Sequence, residues 1–184
     1  MPTTYYAHIN SPLGELTAIG DGHFLTGLYL PEHKGSGPDA SAVHDDVPFG
    51  EVRDQLAAFF AGERRQFDVP LKLLGTPFQL RVWQELARIP FGATITYAQL
   101  AERVGNANAS RAVGAANGRN PISIIVPCHR VIGASGTLTG YAGGVEKKEW
   151  LLNHERPALE NQVQQHATRP STAQQIAPGV FTGG

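Results

Sequence analysis

The sequence of 184 residues contains one cysteine, Cys128, and one methionine, at position 1. A single thiol excludes an intramolecular disulfide and any structural zinc site that needs several thiolates. No apolar run approaches the ~18 residues that a bilayer-spanning helix needs, and residues 1–10 lack the pattern of a secretory signal. We therefore predict a cytoplasmic protein that binds no membrane. Composition alone leaves the role of the lone thiol open.

The chain also has almost no excess of charge of either sign, since the formal net charge is −1. Residues 1–75 nevertheless carry five Lys/Arg and ten Asp/Glu, a net of −5, whereas residues 76–156 carry nine and five, a net of +4. The whole-chain total argues against a nucleic-acid partner, but the positive segment is compatible with one. From charge alone, two solvated surfaces of different composition are the simpler interpretation.

Residues 1–75 have the pattern of a small α+β unit. Short runs of β-prone residues are separated by turn signals, and an apolar stripe at helical spacing follows them. The predicted elements are strands over 5–9, 14–19 and 24–30, a loop over 31–48, a helix over 49–61 and a strand over 66–71. This half has no constellation of catalytic residue types, and we interpret it as a scaffold.

The second half opens with clear helix-start signals. Thr76 followed by Pro77 predicts the first turn of a helix that Pro90 ends. Thr96 and Gln99 have the spacing of a capping box, which predicts that another helix starts there. An apolar stripe along the first of these helices is typical of a core-facing surface.

Two short helices are predicted around a turn at residues 106–109. The first ends at Gly105, and Ser110 caps the second, which covers residues 111–117. This arrangement is typical of a helix-turn-helix, although an ordinary pair of packed helices that never touches DNA fits equally well. Arg111 lies at the N-terminal end of the second helix, where helix-turn-helix proteins present side chains to the duplex.

The lone thiol follows an apolar, β-branched run at residues 122–126, which predicts a buried strand ending at Pro127. A Cys beside a His is often only a small buried residue next to a satisfied imidazole. A reactive thiolate would instead need a nearby base or a positive field. His129, oriented by a carboxylate such as Glu155, could supply that base.

Five motifs follow one another between Thr76 and Glu155, namely TPFQLRVWQELARIPFG, TYAQLA, SRAVGAANGRNP, IIVPCHRVIGASG and GYAGGVEKKEWLLNHE. In order and spacing they resemble those of the O6-alkylguanine-DNA alkyltransferases, also called methylated-DNA–protein-cysteine methyltransferases. The resemblance implies an α+β fold, with a small ribonuclease-H-like α/β domain over 1–75. A mainly helical DNA-binding and alkyltransferase domain with a helix-turn-helix would cover 76–156. Residues 157–184, rich in polar residues, are expected to be a disordered tail.

The resemblance implies DNA repair by direct damage reversal, in which the alkyl group on guanine O6, or on thymine O4, is transferred once and irreversibly to the protein. Cys128 would be the nucleophile, and His129, acting through a water, would take its proton. Glu155 would hold the imidazole in the productive tautomer, Tyr97 would protonate the departing guanine, and Asn120 would fix the turn around the cysteine.

The resemblance also implies how double-stranded DNA is held. The alkylated atom is inaccessible inside a stacked duplex, so the base must flip out. The second helix would then lie in the minor groove, with little sequence readout, and Arg111 would fill the gap left by the base. The other residues implied at the DNA are Thr96, Ser110, Ala112, Ala115 and Arg130. Those implied at the substrate are Val131, Tyr141, Ala142 and Asn117.

The sequence departs from the family pattern at three places. No cysteine precedes Cys128, so we expect the zinc site of some relatives to be absent, and we expect no metal or cofactor. Four histidines that have no zinc to bind are then expected at the surface, namely His8, His23, His33 and His44. Ala142 stands where some members have a hydroxyl residue, which leaves its backbone N–H for O6. Asn117 stands where some relatives have a larger apolar residue, which bears on the preference for bulky alkyl groups. We expect a monomer in solution, with cooperative binding along DNA left open.

Three other classes stay open on the residues alone. A lesion-binding relative without catalysis would lack the cysteine that this chain keeps. A Cys-His hydrolase would need an oxyanion hole and repeated turnover. A helix-turn-helix regulator would need a more polar recognition helix than this one.

Overall fold

The computed structural model describes residues 1–33 and 37–164, and its N-terminal half is built on a four-stranded sheet. The strands are β1 (Tyr5–Ser11), β2 (Gly14–Gly20), β3 (Leu25–Tyr29) and β4 (Val43–His44). Their order is β3-β2-β1-β4, with β1, β2 and β3 antiparallel and β4 parallel to β1. The three predicted N-terminal strands are confirmed. The short β4 lies inside the segment predicted as a loop.

Helix α1 (Gly50–Phe60) covers this sheet, and its apolar stripe is buried as predicted, at Val52, Leu56 and Phe59. The strand predicted over 66–71 is wrong, because only Leu71 forms a bridge, to Leu25. In this segment a side chain, rather than a neighbouring strand, pairs with the backbone. The amide of Gln55 accepts a hydrogen bond from the N–H of Asp68 at 2.8 Å and donates to its carbonyl at 3.1 Å.

The second half is mainly helical. Its elements are α2 (Pro77–Ala87), β5 (Ile95–Thr96), α3 (Tyr97–Arg103), α4 (Ser110–Gly118), β6 (Val131–Ile132) and α5 (Val145–Gln164), with β5 and β6 paired in parallel. Thr76 and Thr96 both cap their helices as predicted, each within a full capping box. The capping role predicted for Ser110 is wrong. Ala109 is the N-cap of α4, because its carbonyl already accepts the N–H of Val113 at 2.9 Å.

The segment before Cys128 is buried as predicted, but it is not a strand. Only Ile122 pairs, with Leu28 of β3, and Ile124 then turns with a φ of 72°. The N–H of Leu28 donates to the carbonyl of Pro121 at 2.8 Å, and the N–H of Ser123 donates back to Leu28 at 2.9 Å. The N-terminal sheet is therefore bonded directly to the segment that leads to the thiol.

The long C-terminal helix α5 runs past residue 156, where the sequence predicted the start of a disordered tail. Residues 157–164 continue the helix, so that boundary is wrong, and residues 165–184 of the predicted tail lie outside the described residues. In the part of the chain that the structure describes, no helix combines the length and apolarity needed to cross a membrane.

Candidate active site

Cys128 is buried in a single turn of 3-10 helix, Cys128–Arg130, and the amide of Asn120 holds the turn that precedes it. The Nδ2 of Asn120 donates to the carbonyl of Val126 at 2.7 Å, and its Oδ1 accepts the N–H of Ile122 at 3.0 Å. A side chain thus satisfies backbone groups that a strand would otherwise pair. This places the thiol at a tight, non-strand turn next to α4 and α5.

Glu155 on α5 is the centre of a buried network. Its Oε1 lies 2.8 Å from Nε2 of His129 and 2.8 Å from Nη2 of Arg130. Its Oε2 accepts from Nε of Arg130 at 2.9 Å and from the N–H of Gly92 at 3.3 Å. The side chains of His129 and Glu155 are 0% and 1% exposed. A bidentate guanidinium thus fixes the carboxylate that the imidazole contacts.

The network sets the protonation states of its members. Burial raises the pKa of Glu155, but hydrogen bonds and charge interactions with His129 and Arg130 outweigh it and lower this pKa to about 2. Burial lowers the pKa of His129, against the attraction of Glu155. The imidazole is therefore neutral at pH 7 and donates its Nε2 proton to the carboxylate. Its buried Nδ1, which has no hydrogen-bond partner among the described residues, carries the free lone pair.

The thiol itself lies in a mixed electrostatic environment. Burial raises the pKa of Cys128, whereas the amide of Asn120 and the charge of Lys148 act to lower it. Lys148 is fully buried, its Nζ donates to the carbonyl of Thr139 at 3.2 Å, and it lies 5.8 Å above the ring of Tyr97. The protonated thiol thus has a cation nearby, and the imidazole of the next residue, His129, is the candidate base that thiolate formation requires.

Two tyrosines line the approach to the thiol. The hydroxyl of Tyr97 donates to the carbonyl of Thr139 at 3.2 Å, and burial raises the pKa of this residue. The hydroxyl of Tyr141 is buried, and burial together with the neighbouring Cys128 raises its pKa well above the usual value. Ala142 is half-buried in the same loop. This loop packs closely on Leu30, which follows β3, because Gly143 has no side chain: a Cβ there would lie 2.5 Å from Leu30.

The two faces of α4 differ. Arg111, Ala112 and Ala115 are exposed on its outer face. Asn117 is buried on its inner face, where its Nδ2 donates to the carbonyl of Cys128 at 3.4 Å. The helix therefore contacts the thiol segment on one side and presents small residues with one arginine on the other. Ser110 and Thr96 are half-buried, and Val131 is buried in β6.

Arg130 does not fit the DNA contact that the resemblance implied. Its side chain is 8% exposed, and all three of its guanidinium nitrogens donate inward, since Nη1 also binds the carbonyl of Ile89 at 2.7 Å. The cation is held by the buried carboxylate of Glu155, which requires a charged partner. Arg130 is therefore a structural partner of the site, with its guanidinium turned inward to Glu155 and Ile89.

The described residues contain no group of three or more His, Cys, Asp or Glu that could hold a metal ion. Three of the four histidines expected at the surface are exposed, namely His8, His23 and His44, whereas His33 is half-buried.

Comparison with known proteins decides the family. The family model for the 6-O-methylguanine DNA methyltransferase ribonuclease-like domain matches residues 4–73, and the model for the DNA-binding domain of the same proteins matches residues 77–157. The chain belongs to the 6-O-methylguanine DNA methyltransferase family. This confirms the resemblance seen in the sequence and the predicted α+β fold.

Relatives in this family match nearly the whole described chain. The methylated-DNA–protein-cysteine methyltransferase of Mycobacterium tuberculosis is 51% identical over 152 residues, which is 83% of this chain and 92% of the relative. The protein of the same name from Methanosarcina acetivorans is 52% identical over 155 residues, or 82% and 97% of the two chains. The crystal structure of the M. tuberculosis O6-methylguanine methyltransferase has a TM-score of 0.80 at 50% identity, over 84% of this chain and 94% of that one. A structure of the M. tuberculosis protein in complex with DNA has the same TM-score and identity, over 83% and 93%.

Sequence reasoning missed one residue of this family member's site and misassigned another. Lys148 was not singled out, although Lys148, Leu151 and Glu155 are all buried at helical spacing on α5. Reading residues 145–156 as a helix would have placed two opposite charges on one buried stripe. Arg130 was assigned to DNA from the resemblance alone. Neither that resemblance nor the positive charge of residues 76–156 tells whether a cation faces solvent or a buried carboxylate.

Proposed function

We propose that the protein repairs DNA by transferring the alkyl group from O6 of guanine to its own Cys128. The observation that carries this proposal is the buried pair of the ionised Glu155 and the neutral His129, which directly follows the buried Cys128 in the sequence. The Nδ1 of this imidazole has no hydrogen-bond partner among the described residues. The family and its named relatives support the alkyl acceptor and the class of reaction.

In the proposed reaction, His129 takes the thiol proton through a water molecule that bridges Nδ1 and the sulfur. The sulfur then attacks the alkyl carbon, a carbon–sulfur bond forms, and the carbon–oxygen bond to O6 breaks. The electron pair stays on the purine, which leaves as guanine after taking a proton from Tyr97. Glu155 stabilises the imidazolium that forms, and Lys148 stabilises negative charge at the sulfur and at the tyrosine oxygen.

Each protein molecule reacts once. The product is a thioether, and within the described residues no second thiol stands near Cys128 to remove the alkyl group, since the chain has a single cysteine. The protein is therefore both the catalyst and the reagent. We propose the same chemistry for O4-alkylthymine, whose alkyl carbon is bonded to an oxygen in the same way.

We propose that α4 binds the minor groove of double-stranded DNA. Arg111 is exposed at its N-terminal end, and Ala112 and Ala115 allow the helix to approach the duplex closely. Arg111 would occupy the stack in place of the flipped guanine, which presents its alkyl group to Cys128. A related protein from M. tuberculosis has been solved in complex with DNA. The protein acts as a monomer of the cytoplasm in this proposal.

The test is the intact mass of the protein after incubation with duplex DNA that contains O6-methylguanine. We expect one methyl group to replace the thiol hydrogen of Cys128, and repair to stop after one equivalent. The Cys128→Ser variant is the matched control and should gain no mass. An unmodified Cys128 in the parent protein, or repair that continues beyond one equivalent, would contradict the proposal.

A further inference from the structure

Phe59, at the C-terminal end of α1, connects the N-terminal half to the surroundings of Glu155. Its carbonyl oxygen accepts a hydrogen bond from Nε2 of His154 at 2.7 Å, and the two rings meet edge-on at 5.1 Å. The ring of Phe59 also meets that of Phe91 edge-on at 6.0 Å. Phe59 is fully buried, whereas His154 and its hydrogen bond are half-buried. The same carbonyl also accepts the N–H of Gly62 at 3.0 Å, so it binds two donors at the end of the helix.

Both partners of Phe59 adjoin the buried carboxylate. His154 immediately precedes Glu155 on α5. Phe91 precedes Gly92, whose N–H donates to Oε2 of Glu155, and its ring lies 5.8 Å from the guanidinium of Arg130. The N-terminal half therefore reaches the carboxylate from two sides, through the helix that carries it and through the turn that hydrogen-bonds it.

The rotation of α5 about its axis decides where Glu155 points. An α-helix has about 3.6 residues per turn, so neighbouring side chains point in different directions, and a small rotation of the helix moves a short carboxylate away from its partner. Contacts between α5 and α1 resist such a rotation. The Nε2 of His154 is bonded to the carbonyl of Phe59. The rings of Trp150 and His154 also lie 5.8 Å and 6.4 Å from the ring of Phe60.

We propose that His154 is a positioning residue: its hydrogen bond to the Phe59 carbonyl sets the rotation of α5 and thereby aims Glu155 at His129. This inference rests on the proposed relay from Cys128 to Glu155. It gives the N-terminal half, which the sequence presents only as a scaffold, a part in the reaction.

The experiment compares His154→Gln with His154→Leu in the full chain. Gln keeps an N–H donor that can reach the Phe59 carbonyl, whereas Leu keeps apolar packing and has no donor. Two quantities are measured: the second-order rate of reaction with free O6-benzylguanine, and the downfield proton resonance of the His129 Nε2–H that binds Glu155. Thermal unfolding establishes that each variant is folded at the assay temperature. If His154→Leu does not fold, His154→Phe, which keeps the stacking on Trp150, replaces it.

The control is Glu32→Gln. Glu32 also links the two halves, since its Oε2 lies 4.0 Å from Nζ of Lys147, but this contact is exposed and distant in sequence from Glu155. We expect Glu32→Gln to react with O6-benzylguanine at the rate of the parent protein. We expect His154→Leu to react about tenfold more slowly, a fraction of what a full general base contributes, and to shift or lose the downfield resonance. His154→Gln should recover the resonance and a rate within about threefold of the parent.

The outcomes separate this inference from the proposed function. If the parent protein is not alkylated on Cys128, the proposed function fails, while the resonance still reports on the position of Glu155. If the parent reacts and His154→Leu matches it in both rate and resonance, the positioning role is overturned. Equal losses in the Leu and Gln variants would also overturn it, because the hydrogen bond would then not be the feature that matters.

Discussion

Replacement of Glu155 by Gln tests the buried network through the pH dependence of stability. The pKa of Glu155 falls from an ordinary 4.5 to about 2 in the folded protein. At about 1.4 kcal/mol per pKa unit, this lowering stabilises the folded state by about 3 kcal/mol at neutral pH. The side chain is 1% exposed, so screening by solvent is small. Removal of one partner of a buried ion pair independently gives a loss of about 3–5 kcal/mol, because Arg130 is left buried without a counterion.

The sign of the pH dependence follows from the direction of the shift. A carboxyl whose pKa is lowered by folding stabilises the protein above its unfolded pKa. This contribution disappears as the pH falls from about 4.5 to about 2, because the unfolded chain takes up the proton first. The difference in stability between the parent and Glu155→Gln should therefore be about 3 kcal/mol above pH 5 and approach zero near pH 2.

The assay is urea unfolding, followed by the fluorescence of the two tryptophans, at a series of pH values from 7 to 2.5. Glu149→Gln is the matched control, since Glu149 is exposed on the same helix, and we expect it to change stability by less than about 0.5 kcal/mol at every pH. A difference between the parent and Glu155→Gln that stays constant from pH 7 to pH 3 would refute the reasoning. So would a difference below about 1 kcal/mol at pH 7.

Two further predictions concern the reaction. Arg111→Ala should slow repair of O6-methylguanine in a duplex much more than reaction with free O6-benzylguanine, because only the duplex requires the gap to be filled; equal losses on both substrates would contradict the role proposed for Arg111. Tyr97→Phe should slow reaction with both substrates by about 100-fold, the lower end of what a general acid contributes. It should change the free energy of unfolding by only about 1 kcal/mol, since the hydroxyl of Tyr97 donates to the exposed loop carbonyl of Thr139. Rates measured under single-turnover conditions test both variants, and an unchanged rate for Tyr97→Phe would exclude it as the proton donor.

Local signals in the sequence predict much of the fold. Both threonine caps, at Thr76 and Thr96, start helices where the capping residues place them, because a cap depends only on residues within one turn. The three N-terminal strands follow from alternation and turn residues in the same way. The run at 122–126 shows where this reasoning stops. Its apolar, β-branched residues correctly predict burial, but the amide of Asn120 takes the backbone hydrogen bonds that a strand would need.

The role of a site residue could be predicted where it depends on the residue itself or on its sequence neighbour. It could not be predicted where it depends on contact between residues far apart in the sequence. A lone Cys followed by His is visible in the sequence as a unit. Arg130 directly follows this pair, yet its role depends on Glu155, 25 positions away, and on the carbonyl of Ile89, 41 positions away. The same arginine on an exposed surface would add to the positive potential that attracts DNA. Burial instead makes Arg130 the counterion that keeps Glu155 ionised. The role of this charge therefore depends on a long-range contact, which neither the net charge of the segment nor the local sequence pattern reveals.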